Sequence, residues 1–415
     1  MTHRERFFAL LEGRLVDRLP FFPDISDWYK ARRTPPGEPQ RYMTGALIPD
    51  GIDFHKVQHD MPPEWASWSY LDFYRNYDWS LPVHIYDWYR TRGHGYSVEL
   101  SETKDSRIEG WNSRHGFMTY LGVSSLDAGK SFVTTRRIFT ETWKTPLGKL
   151  TDIKEMAADG SLARTKYMVE TLEDLRILEY IVTHTEVKAD HARISSVLSQ
   201  IGELGVADLV IFRSPFGKIV QEYLGIERTA YWMYDHRQRV LDFLGLLEEE
   251  DLKVIELAAR SEARIVIISD HADEALLNPR WYEEFCIPFY QKACKILHQH
   301  GKIISTHLDG NILRLLPLLK DTGFDLMDGC TPAPMSNYRP GDLGRALGGG
   351  QYAYCGVPST LFTQGLEDRV IIESAEEIYG ALEGKLILNV GDVLPPNGDL
   401  QQVIELGEWS KGKDS

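Results

Sequence analysis

The chain holds 415 residues, 43% of them hydrophobic and 26% charged, a composition that excludes a disordered, collagenous or coiled-coil protein. Its 46 basic against 61 acidic residues leave a net charge of −15, which argues against a nucleic-acid partner. No apolar run reaches the roughly 20 residues of a membrane helix, His3 to Arg6 interrupt any signal-peptide core, and four cysteines are too few for a disulfide framework in a chain this long. The expectation is a cytoplasmic protein with free thiols.

In chain order, residues 60 to 145 come first, carrying Trp65, Trp68, Tyr74, Trp79, Trp88, Trp111 and Trp143 among many aromatic residues, with little helical or strand periodicity. Two readings fit: a satellite aromatic core beneath long loops, or an insertion or lid whose aromatic side chains line a pocket. Thr145-Pro-Leu-Gly-Lys-Leu-Thr-Asp152 predicts the tight turn of a hairpin closing that region. From about residue 200 short β-branched runs alternate with longer amphipathic ones, the rhythm of β/α units around a parallel sheet. Strands are predicted over 263–270, 302–307, 323–328, 351–355 and 385–390, each apolar on both faces until its last residues, hence covered on both sides. Helices are predicted over 240–260, 281–299 and 312–321. Pro288 removes a backbone donor inside the second of these and predicts a kink close to Cys286. The chain reads as one domain spanning 1–415, with 60–145 as an N-terminal elaboration.

The predicted strands end in Asp270-His271, His307-Leu-Asp309-Gly-Asn311, Asp328-Gly-Cys330, Cys355-Gly356 and Gly391-Asp392. In a β/α barrel the C-terminal strand ends build the active face. Any one of these groups also makes an ordinary turn or cap, but five of them converge. Asp309, Asp392 and Asp270 are therefore candidate catalytic groups, orienting histidines or donating protons. Asp24, Trp28, Asn311 and Cys355 are candidate substrate contacts.

Several stretches, spread nearly end to end, carry a family resemblance: Arg4-Glu-Arg-Phe-Phe-Ala-Leu-Leu-Glu-Gly13, Asp17-Arg-Leu-Pro20, Phe216-Gly-Lys-Ile-Val220, Pro279-Arg-Trp-Tyr-Glu-Glu-Phe-Cys-Ile-Pro288, His307-Leu-Asp-Gly-Asn311, Thr331-Pro-Ala-Pro334 and Leu394-Pro-Pro396. Their order and spacing resemble the uroporphyrinogen decarboxylase superfamily, and within it the corrinoid-dependent methyltransferase branch of the O-demethylase type. The resemblance implies a (β/α)8 TIM barrel with its site at the C-terminal strand ends. The name-giving decarboxylase binds tetrapyrrole carboxylates through an Arg-rich loop after its first strand. The corresponding Phe21-Phe-Pro-Asp-Ile-Ser-Asp-Trp28 is acidic instead, which disfavours a porphyrin substrate.

Members of the methyltransferase branch move a methyl group between a small substrate and the cobalt of a corrinoid held on a separate carrier protein, and many use a zinc ion. One subgroup takes its zinc ligands from a His-x-Cys pair and a later Cys, which here read His307-Leu-Asp309 and Asp392. A second subgroup spaces three ligands by fourteen and then twenty residues, which ends on His307 through His271 and Cys286. The resemblance thus implies zinc on His307, His271 and Cys286, a small-molecule methyl donor such as a methyl ether, and a corrinoid carrier protein as partner, with a homodimer admitted; the lack of a long apolar run argues against a membrane partner. A decarboxylase and a non-catalytic small-molecule binder on the same barrel are the alternatives.

Overall fold

The computed structural model describes residues 1–33, 61–110, 131–156, 162–363 and 365–413. The first long strand, β1 (Leu81–Ile85), leads into β2 (Tyr89–Gly93), β3 (Ser97–Gly110), β4 (Ser131–Thr145), β5 (Gly148–Met156), β6 (Leu162–Lys166) and β7 (Thr185–Ala189). Strand and helix then alternate through β8 (Gly205–Phe212), β9 (Ile265–Ser269), β10 (Ile303–His307), β11 (Leu326–Cys330), β12 (Tyr352–Gly356) and β13 (Leu386–Asn389). β1 and β8 to β13 pair in that order as a seven-stranded sheet, parallel at every step.

A very short eighth strand closes the ring. Phe21 bridges Leu388 in parallel, Phe22 N donates to Leu388 O at 2.8 Å, and Ser80 N donates to Phe21 O at 3.0 Å. Pro20 and Pro23 flank it, and neither has an N–H to donate, so pairing cannot extend further. The fold is the (β/α)8 barrel that the family resemblance implies, built on the β/α rhythm of the sequence.

Side chains alternate across each strand, so one set faces the helices and the other the barrel interior. Val83, Leu209, Val266, Ile268, Ile304, Met327 and Leu388 join the main core between sheet and helices. Ile265, Leu326, Tyr354, Ile387 and Phe22 form a second core inside the barrel with Phe7, Phe8, Ala9 and Leu10. Those last four lie on the helix His3–Leu11, whose start is fixed by a capping box of Thr2 and Glu5, and this helix plugs the N-terminal end of the barrel.

The aromatic segment divides differently from the 60–145 expectation. Residues 70–85 belong to the barrel: the helix Tyr70–Tyr77 sends Phe73 and Tyr74 into the main core, and β1 is a barrel strand. Aromatic density marks core packing there as well as insertion, so density alone misplaces the boundary. The insertion proper follows β1, pairs β2 with β7, and forms an antiparallel sheet in the order β3-β4-β5-β6. Thr145 pairs with Gly148 at the predicted hairpin turn. Because the chain leaves the C-terminal end of β1, the insertion starts at the barrel mouth, where the indole of buried Trp88 donates to Val210 O at 2.8 Å. Residues 111–130, with Trp111, lie outside the described residues.

The disturbance expected at Pro288 takes the form of a π turn over Tyr282–Cys286 that joins helix Pro279–Trp281 to helix Ile287–Gln299. A widened turn is one way a helix absorbs a missing donor. The helix expected over 312–321 is a 3-10 segment, Leu316–Asp321, with Pro317 at its start. Among the described residues no helix is long and apolar enough to cross a membrane.

Candidate active site at the barrel mouth

The inward positions change character along the strands. Near the helical plug they are apolar, but one or two pleats further on they become His84 on β1, Asp208 on β8, Ser269 on β9, His307 on β10, Asp328 on β11 and Asn389 on β13. Parallel register pairs His84 with Asp208 and His307 with Asp328, so each imidazole stands beside a carboxylate on the next strand. Just past the strands, His271, Asp309 and Asp392 complete the mouth.

His271, His307 and Asp309 each offer a ligand atom, and these atoms lie within 4.8 Å of one another, the one such group found among the described residues. The two imidazole rings meet edge to face with centroids 4.8 Å apart. His271 Nδ1 is 3.4 Å from Asp309 Oδ2, and its Nε2 is 3.3 Å from Ser269 Oγ. His307 Nδ1 is 3.2 Å from Asp328 Oδ2, which fixes the ring and leaves Nε2 toward Asp392 Oδ1 at 3.8 Å. Gly329 permits this packing, because a Cβ there would lie 2.7 Å from the His307 ring. Backbone strain concentrates at the same rim: His271, Asp392 and Arg213 have φ of 46°, 60° and 59°. Left-handed conformations in residues with a Cβ persist only where the surroundings enforce them, and they cluster at working sites.

Electrostatics link these groups into one field. Burial alone would lower His307, but the Asp328 hydrogen bond and the charges of Asp392 and Asp309 raise it to about 9. Burial would raise Asp309, yet the hydrogen bond from His271 and the nearby His307 hold it below the usual carboxylate range. Burial lifts Asp392 to about 6 against the pull of His307. Across the mouth, His84 Nδ1 contacts both Asp208 oxygens, at 2.9 and 3.0 Å. Burial would lower that imidazole too, but Asp208, reinforced by Asp328 and Asp24, raises it to about 10.

Several candidate residues stand elsewhere. Asp270 faces outward: Ser214 N donates to its Oδ1 at 2.6 Å, the Tyr290 hydroxyl donates to its Oδ2, and the carboxylate ties two outer helices to the sheet. It follows Ser269, an inward position, and one step along a strand reverses the face. Cys286 is fully buried, receives a hydrogen bond from Ser214 Oγ at 3.8 Å, and lies outside the histidine group. Its π turn keeps it in the wall rather than bending it over the mouth, and Asp309 takes the third place in the geometry. Trp28 is buried against Trp65 and Phe73, and Cys355 is an outward-facing core residue. Asn311 is exposed, with its backbone tied to Asp273 and Glu274. Asp24 accepts Ser26 N at 2.7 Å at the start of helix Ser26–Arg33, and its charge reaches His84, Tyr86 and Asp392.

Sequence reasoning does not single out His84 and Asp208, because only the pairing of β1 with β8 brings them together. A cleft of about 480 Å3 lined by Arg4, Phe8, Arg14, Glu203 and Arg264 lies at the plugged end, away from the histidines.

Residues 204–411 match the family model "Uroporphyrinogen decarboxylase (URO-D)". The chain belongs to this family. Its barrel strands β8 to β13, with β10 and β11 carrying His307 and Asp328, all fall within the matched URO-D segment. Among solved structures, a methyltransferase from Methanosarcina mazei aligns over 99% of this chain and 98% of its own, at 14% identity and a TM-score of 0.54. At that identity the likeness speaks for the fold. A B12-independent methionine synthase from Shewanella aligns over 60% of this chain and 70% of its own, at 11% identity and a TM-score of 0.34. No curated protein matches this URO-D chain by sequence.

Proposed function

We propose that this URO-D family member is a methyltransferase that removes a methyl group from a small methyl ether or related donor and passes it to the cobalt of a corrinoid on a partner protein. The observation that carries the reading is the convergence of His271, His307 and Asp309 at the barrel mouth, with Asp328 and Ser269 orienting the imidazoles. Two imidazoles and a carboxylate are a donor set that zinc accepts, with a position left open for a ligand. When bound, the ion would supply Lewis-acid stabilisation of the departing oxygen, without which a methyl ether is inert because its leaving group is strongly basic. Asp328 keeps the His307 ring oriented so that Nε2 faces the mouth, in the manner of carboxylates behind ligating histidines. Asp392, 3.8 Å from that nitrogen and raised to about 6, can hold or release a proton beside it. The end-to-end match to a methyltransferase fold supports the same reaction class. The acidic rim of Asp24, Asp309 and Asp392 disfavours a polycarboxylate substrate and hence porphyrin decarboxylation.

The test is elemental analysis of the purified protein beside an assay of methyl transfer from a panel of methyl ethers to reduced cobalamin. Stoichiometric zinc with cobalamin methylation is the expected result. Metal-free protein that releases carbon dioxide from carboxylic acids would overturn the reading in favour of a decarboxylase.

A further inference from the structure

The His84–Asp208 pair stands on the neighbouring strands β1 and β8, apart from the His271, His307 and Asp309 group but within the same field: the His307 and Asp328 charges both act on Asp208. Its geometry differs from that of a surface ion pair. Both Asp208 oxygens sit within 3.0 Å of a single nitrogen, His84 Nδ1, which orients the ring and favours its charged form, with a proton on each nitrogen. Nε2 has no protein partner among the described residues, and the side chain is 28% exposed at the mouth. Asp24, Asp208, Asp309, Asp328 and Asp392 are acceptors when ionised, so the His84 Nε2–H is a donor facing a largely acceptor-lined space. Beside it the Tyr86 ring stacks on Phe212 at 5.4 Å and 14°, and Phe212 is 42% exposed. A flat substrate can lie against that platform with an oxygen toward His84.

Resting on the methyl-transfer reading, we propose that His84, oriented by Asp208, is the catalytic acid that protonates the departing oxygen of an aryl methyl ether. The methyl–oxygen bond breaks with its electron pair staying on oxygen, while the reduced corrinoid, a two-electron nucleophile, supplies the pair for the new bond to the methyl carbon. The proton on His84 Nε2 goes to the oxygen, giving a neutral phenol. His84 is left neutral beside the Asp208 carboxylate and recovers its proton from water. An imidazolium stabilised to about 10 stays charged at neutral pH, yet is acidic enough to protonate a basic phenolate or alkoxide. Asp208 is a positioning residue that acts through His84.

The experiment is a leaving-group series with the metal-loaded enzyme and reduced cobalamin, comparing methoxybenzene with 4-nitromethoxybenzene, whose phenolate needs no proton to depart. In His84→Gln the methoxybenzene rate is expected to fall about 100-fold, and the nitro ether rate by less than about tenfold. Asp208→Asn is expected to show the same pattern, less steeply. An equal loss on both ethers, with metal content unchanged, would overturn the acid role of His84 and leave the methyl-transfer reading standing. A folded, metal-loaded wild-type enzyme that methylates cobalamin from other methyl donors but from neither ether would overturn the aryl-ether proposal alone, and one that methylates cobalamin from no donor in the panel would overturn both.

Discussion

The two ends of the barrel interior are laid out by the same strands and do opposite things. At the N-terminal end Ile265, Leu326, Ile387 and Phe22 turn inward and the helix His3–Leu11 closes over them, an apolar core in which the Tyr354 hydroxyl donates to Phe22 O at 2.6 Å. Further along those strands the inward residues are His84, Asp208, His307 and Asp328, and the chain adds His271 and Asp392 in left-handed conformations. The apolar core lies at one end and the candidate chemical groups at the other, the division expected of this architecture. Polar inward residues do little for packing, so substitutions at the two ends should separate activity from stability.

The largest effect is expected at the mouth. His307→Ala removes the imidazole shared by the metal group and the Asp328 contact, and should lower methyl transfer by about 1,000-fold or more, with metal lost, since even removal of an outer partner costs 10–100-fold. The melting temperature should move little, and a melt that collapses along with activity would show that His307 holds the fold rather than the metal. At the plugged end Ile387→Ala, at a position with no exposure, should cost about 3 kcal/mol of stability while metal content stays at wild type. Denaturant melts beside elemental analysis check this.

A pH dependence also belongs to the plugged end. Burial lowers His3 to about 4 despite Asp78 3.1 Å away, so the folded state favours the neutral ring. A folded value below the unfolded 6.5 means the stability is fully present above 6.5 and is lost as pH falls toward 4. About 3 kcal/mol should disappear over that window, and His3→Asn should flatten this part of the stability profile. An unchanged profile in the variant would show that other groups set it. The smallest effect is expected at Cys286: Cys286→Ser should alter metal content by nothing measurable and stability by about 1 kcal/mol, because the thiol lies in the wall against Ser214.

Much of the barrel was legible in the sequence because parallel strands buried on both faces read as continuous apolar runs, and Ala263 to Asp270 and Lys302 to His307 do so plainly. The eighth strand was not, since Phe21-Phe22 between two prolines is too short to show a period. Within the site, His271, His307, Asp309 and Asp392 stood out because each follows or ends an apolar run. His84 and Asp208 did not: β1 is Leu81-Pro-Val-His-Ile85, in which a lone histidine in a half-apolar run looks like an ordinary alternating residue. Only strand order brings Asp208, more than a hundred residues later, beside it. Asp270 misled for the complementary reason, because adjacency to His271 in sequence says nothing of face, and one step along the strand turned it to the helices. Cys286 rested on the ligand spacing that the family resemblance implies, which does not register how the π turn orients a side chain.

His271, His307 and Asp309 are proposed to form a metal centre at the open end of this barrel. Metal titration of the protein with zinc, followed by equilibrium dialysis and elemental analysis for wild type, His307→Ala, Asp309→Ala and Cys286→Ser, tests it most directly. One ion per chain is expected in wild type and in Cys286→Ser, with the ion lost in His307→Ala and bound far more weakly in Asp309→Ala. Zinc retained stoichiometrically by His307→Ala, or lost in Cys286→Ser alone, would contradict the claim.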